Sequence, residues 1–260
     1  MDRTTRFLKK KSLQKQSTSL PELHWSLRTR SHVLNKAGSA HHHNLDTSGF
    51  NGIERTYVDP SIELFKNILK ERGLKTAVLH IEDLALDHEI LSRKHQDELY
   101  STYDQILIEA AQQNVTIISL HLDAEKIATN DFSQIPYTTN TDAETYLYLG
   151  GAQVILDPRN IANESLQLAH KLLFSDFFSL IQNKGISVRP TYSTRLRLQS
   201  NISMHLAGSS KGGAVLIELG ALDELKRLFN SPEAIAINLH QPLEELAIII
   251  SDHRRSLWLK

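Results

Sequence analysis

The sequence predicts an α/β fold: a three-layer sandwich with a mostly parallel, twisted sheet and helices on both faces. Three observations predict it. Short apolar runs at 76–81, 115–122 and 214–219 have the length and character of buried strands. Helical spacing of apolar residues fills segments of ten or more residues elsewhere in the chain. Strands alternating with such segments form right-handed βαβ units, which pair in parallel and place helices on both sides of the sheet.

The elements follow in order. Residues 1–31 carry Arg3, Arg6, Lys9, Lys10, Lys11, Lys15, Arg28 and Arg30 against only Asp2 and Glu22, with little apolar periodicity, so they read as a basic, flexible tail. The domain then spans 32–260. A first short strand is expected at 31–34. The segment 44–52 is rich in turn formers and ends just before Glu54. From Pro60 a helix is expected, with Ile62, Phe65, Ile68 and Leu69 on one face and Gly73 at its stop. The second strand is 76–81, and 82–98 reads as a loop and helix start. Tyr103, Ile106, Leu107 and Ala110 predict a helix over 100–113, followed by the strand 115–122. The polar stretch 126–141 reads as a loop at the rim of a site. A strand is expected at 144–149, one long amphipathic helix at 165–184 stopped by Gly185, and a short strand at 187–192. After the core strand 214–219 come a short helix at 223–229 and a terminal helix at 243–258.

Composition narrows the chemistry. The chain has 260 residues, 40% hydrophobic and 23% charged, ordinary values for a globular protein. A net charge of −1 does not suit a nucleic-acid partner. With no cysteine, thiolate metal sites, disulfides and a cysteine nucleophile are excluded, and a metal site must draw on His, Asp and Glu. No apolar run reaches the ~20 residues of a membrane span. The basic N-terminus lacks the apolar core of a secretory signal.

Four places carry candidate chemistry. The strand 214–219 delivers Glu218 to its carboxyl end, where ligands gather in open α/β sheets. A buried carboxylate must be paired, metal-bound or protonated. His121 ends the apolar strand 115–122 in the same way. His41, His42 and His43 follow the first strand, and Glu54 follows a short loop later. Imidazole and carboxylate together suit zinc.

These motifs, in this order, resemble the zinc-dependent N-acetylmuramoyl-L-alanine amidases, which cleave bacterial peptidoglycan. That family has a His in a Gly-rich loop and a Glu opening the first helix; Ala37-Gly38-Ser39-Ala40-His41-His42-His43-Asn44 and Gly49-Phe50-Asn51-Gly52-Ile53-Glu54 are similar. Its Ser-Ile-His is matched by Ser119-Leu120-His121, and its Gly-Glu-x-Tyr strand by Glu144-Thr145-Tyr146-Leu147. Its Ser-x-x-Leu-Ala helix is matched by Ser165–Ala169. Its Pro-Ala-Val-Leu-x-Glu-x-Gly-Phe is matched most closely, by Gly213-Ala214-Val215-Leu216-Ile217-Glu218-Leu219-Gly220-Ala221.

The resemblance covers about residues 31–252 and implies a diverged member: Asp123 replaces the family's Asn, and Ala221 its aromatic residue. It implies zinc held by Glu54, His121 and one of His41 and His42, with Glu218 as the proton carrier. Counting back from Glu54 selects His41; matching Asp46 to the family's Asp selects His42. The implied reaction is hydrolysis of the amide joining N-acetylmuramic acid to L-alanine, outside the cytoplasm. Two other readings stand beside it: a non-catalytic amidase-like module that binds wall fragments or a partner protein, and a different zinc amidohydrolase.

Overall fold

The computed structural model describes residues 32–37, 50–79, 93–123, 151–189 and 195–258. Six strands form one sheet: β1 (His32–Ala37), β2 (Lys75–Leu79), β3 (Thr116–Asp123), β4 (Gln153–Leu156), β5 (Leu196–Leu198) and β6 (Ala214–Ala221). Their order is β2-β1-β3-β6-β4-β5. Four of the neighbouring pairs are parallel, and only β4 against β6 is antiparallel. The expected α/β class and mostly parallel sheet are therefore observed.

Seven helices surround this sheet among the described residues: α1 (Phe50–Glu71), α2 (Arg93–Gln112), α3 (Asn163–Leu173), α4 (Phe177–Gln182), α5 (Ile202–Ala207), α6 (Leu222–Leu228) and α7 (Pro232–Trp258). Side chains of β3 and β6 sort them into layers. Ile118, Leu120, Val215 and Ile217 pack with Phe65 and Leu69 of α1, Leu172 of α3, and Leu243 and Leu246 of α7. Ile117, Ala214 and Leu216 pack with Leu107 and Ala110 of α2 and Met204 of α5. Every residue of β6 is buried, and successive side chains alternate between the two faces with the two-residue period of a strand, as in a sheet covered on both sides.

Several element boundaries differ from expectation, for physical reasons. Pro60 does not start α1 but lies inside it, and Pro242 lies inside α7. An interior proline costs a helix roughly 3 kcal/mol. Here continuous buried stripes run through both: Val58, Ile62, Phe65 and Leu69 in α1; Ile235, Leu239, Leu243, Leu246 and Ile250 in α7. Burial at ~1.5–3 kcal/mol per large side chain outweighs one lost bond. The expected helix 165–184 is two helices. Ser175 splits them: its Oγ donates to Leu172 O at 2.9 Å and accepts from Phe177 N–H at 3.2 Å. The bend turns Phe174 out to solvent and returns Phe177 and Phe178 to the core.

The strand expected at 187–192 is only a bridge from Val188 to Ala152. Three elements went unforeseen: β4, β5 and α5. β4 is a fully buried run of four residues, too short to show a period. β5 and α5 are tied to it through Asp157, whose carboxylate accepts Asn201 N–H at 2.7 Å and Arg159 N–H at 2.9 Å. The N-terminal tail 1–31 and the strand expected at 144–149 lie outside the described residues.

The amino edge of the sheet is stitched by polar groups. Thr116 Oγ1 donates to Gly212 O at 2.7 Å, and Ser210 Oγ to Val115 O at 2.6 Å. From α7, Arg254 donates to Asn114 O at 2.8 Å, and His253 Nε2 donates to Gly212 O at 3.2 Å. Ser165, first residue of the Ser-x-x-Leu-Ala run, accepts Ala214 N–H at 2.9 Å. That bond seats the start of β6, the strand that carries Glu218.

Candidate functional site

β3 and β6 run parallel at the centre of the sheet, so both present carboxyl ends on the same edge. Their register brings two of the candidate residues together: His121 is the partner of Glu218. Adjacent strands lie ~4.8 Å apart, and register partners share a face. Both are buried, with 6% and 9% of their surface exposed, an unusual position for a carboxylate unless it is engaged. His121 Nε2 and Glu218 Oε2 are both shut off from solvent.

This pair is also the last regular one of the ladder. Beyond it, His121/Glu218 is followed by Asp123/Ala221, so β6 spends one residue more than β3. The irregularity falls at Leu219–Gly220. A side chain on Gly220 would place its Cβ 2.7 Å from Ile186 Cγ2, so glycine lets the bulge pack against the segment that follows α4. Bulges end regular pairing and re-aim side chains, and they recur beside active sites.

On the other side of β6, antiparallel β4 sets Gln153 opposite Glu218. Gln153 is 1% exposed. His121, Glu218 and Gln153 thus form a row of three buried polar residues across three strands. Ser119, Leu216 and Ile155 form the preceding row on the same face. The face is that of α2 and α5, because Leu216 and Ile155 pack there. Sequence reasoning missed Gln153. The signal available was Gly151 and Pro158 flanking a short apolar run, which marks a strand but not its neighbour.

The other candidates are placed less fully. Glu54 lies in the second turn of α1 and is described by its backbone only. Its position falls one turn before Val58, on the stripe that includes Ile62, Phe65 and Leu69. α1 ends at Glu71, close to the start of β2, and a helix rises 1.5 Å per residue. Glu54 is therefore about 25 Å up the helix, towards the carboxyl edge of the sheet. His41, His42 and His43 lie outside the described residues. So do 38–49, 80–92 and 124–150, the segments that leave the carboxyl ends of β1, β2 and β3. Among the described residues no three His, Asp or Glu side chains form a group that could hold a metal ion. The donors that are described suit one: His121 is a buried imidazole at the carboxyl edge beside a carboxylate. No helix among the described residues is long and apolar enough to cross a membrane.

The sequence matches no protein-family profile and no curated protein. Its structure does have solved counterparts. The N-acetylmuramyl-L-alanine amidase Ami1 from Mycobacterium abscessus, in its apo form, superposes with a TM-score of 0.53 at 14% identity, over 85% of this chain and 98% of that one. Ami1 from Mycobacterium smegmatis gives 0.52 at 13% identity, over 85% of this chain and 97% of that one. At this identity the likeness is one of fold: the chain has the fold of the N-acetylmuramyl-L-alanine amidases.

Proposed function

We propose that the protein hydrolyses the amide between N-acetylmuramic acid and L-alanine in peptidoglycan, with zinc as cofactor. One observation carries the reading: in an amidase fold, a buried imidazole and a buried carboxylate are register partners at the carboxyl ends of the two central strands. Open α/β sheets bind ligands in that crevice.

Glu54, His121 and one of His41 and His42 would hold the metal. Chain reach allows either His. Ala37 pairs with Leu120, next to His121, and His41 and His42 follow it by four and five residues, at most about 18 Å of chain. α1 and the His121 row lie on opposite faces, and layers meet only past the strand ends, so a site shared by Glu54 and His121 belongs there. When bound, zinc supplies Lewis-acid polarisation of a carbonyl and lowers the pKa of water.

Glu218 acts as general base and then general acid. Its carboxylate takes a proton from the attacking water and returns it to the leaving amine of L-alanine, which departs as a neutral amine. Burial serves this role by keeping bulk water from competing for the carboxylate. The substrate places the activity in the cell wall or periplasm, outside the cytoplasm. Digestion of purified peptidoglycan tests the reaction: new L-alanine amino termini and intact glycan strands are expected, and no new amine would refute it.

A further inference from the structure

We infer that Gln153 is a positioning residue for Glu218: its side-chain amide donates to the Glu218 carboxylate and fixes the rotamer of the base. Three facts carry this. β4 runs antiparallel to β6, so the first residue of β4 lies at the edge where β6 delivers Glu218. Gln153 and Glu218 are direct register partners, with Cβ atoms ~4.5–5.5 Å apart on one face, within reach of two long polar side chains. Gln153 is 1% exposed, and its Oε1 is shut off from solvent. A carboxamide at that depth must hydrogen-bond inside the protein.

The chemistry suits a neutral donor. A carboxylate that accepts N–H bonds stays charged and oriented, which a base needs. A second carboxylate here would instead repel Glu218. An apolar residue would leave one lobe of the carboxylate buried against hydrocarbon. The row His121–Glu218–Gln153 then divides the work: an imidazole on one side of the base, an amide donor on the other.

The pairing itself stands without the amidase reading; its catalytic consequence rests on it. The test uses the full chain and two readouts. The first is a double-mutant cycle of Gln153→Met, Glu218→Met and the double variant, followed by thermal unfolding. Coupling is expected: the fall in Tm of the double variant is smaller than the sum of the single falls by several degrees, the shift a ~1 kcal/mol interaction gives. Additive falls overturn the pairing, whatever the activity. The second is peptidoglycan hydrolysis by Gln153→Met, with kcat expected to fall ~10-fold or more and KM to stay within about 2-fold. Unchanged kcat, or a rise in KM alone, overturns the positioning role. If the wild-type protein releases nothing from peptidoglycan, the amidase reading fails, and the cycle still decides the pairing.

Discussion

His121 and Glu218 are register partners, and theirs is the last regular pair before the bulge in β6. The register sets two residues, 97 positions apart in the chain, side by side. It also separates their roles in a measurable way. Replacing His121 with Ala removes an imidazole from the proposed metal set, whereas Glu218→Gln leaves that set intact. Metal analysis after dialysis is expected to show zinc lost or much reduced in His121→Ala and retained in Glu218→Gln. Equal retention in both variants would show that His121 is not a ligand.

Chelation tests the same set from outside. Wild-type protein stripped of metal is expected to lose peptidoglycan hydrolysis and to regain it on adding zinc. Full activity in the stripped protein would rule out a metal-assisted reaction.

The amino edge of the sheet gives a stability prediction. A Cβ on Gly212 would lie 2.4 Å from Asn114 O and 2.5 Å from Val115 C, both backbone atoms that cannot swing aside. Gly212→Ala must push apart the starts of β3 and β6. Overpacking costs typically 1–3 kcal/mol, and a rigid backbone contact belongs at the upper end, so about 3 kcal/mol is expected by denaturant unfolding.

His253 sets a pH dependence at that same edge. It is buried, and burial first, with Lys171 and Arg254 adding to it, pushes its pKa down to about 4; the carbonyl of Gly212 and Glu164 oppose this. The fold therefore keeps the ring neutral, while the unfolded chain protonates it below about 6.5. Stability from this residue is full above pH 6.5 and is lost as pH falls towards 4, by about 3 kcal/mol. His253→Gln retains a donor for Gly212 and does not titrate. Unfolding measured from pH 7 to 4 is expected to fall less steeply in that variant.

Asp157 behaves in the opposite sense. The Arg159 guanidinium beside it, then the Asn201 and Arg159 backbone N–H groups, hold its carboxyl well below the usual range against its desolvation. Its contribution is present above pH ~4 and is lost only in strong acid. Asp157→Ala leaves the Asn201 N–H without that acceptor and is expected to cost about 2–3 kcal/mol by denaturant unfolding, loosening the β4–β5–α5 unit.

Much of this was legible in the sequence because core strands are short and apolar. Those carrying His121 and Glu218 end within two residues of expectation, since burial on both faces leaves little freedom. Boundaries failed where one local signal was read against a longer stripe. Pro60 and Pro242 look like helix starts, yet apolar positions on both sides of each already spell one continuous face. Ser175 broke a helix that spacing alone would continue, because a hydroxyl that caps two ends leaves no mark in periodicity. The pairing of Gln153 with Glu218 was not legible: which strand lies beside β6 is decided by topology, and 57 residues separate the end of β4 from the start of β6.

The most direct measurement is release of stem peptide from purified peptidoglycan by the wild-type protein and Glu218→Gln, side by side, with zinc content assayed in both. Release by the wild type, a loss of at least about 100-fold in kcat for Glu218→Gln, and equal zinc in the two are expected. Release by Glu218→Gln at the wild-type rate, with zinc present, would contradict the role of Glu218 as general base.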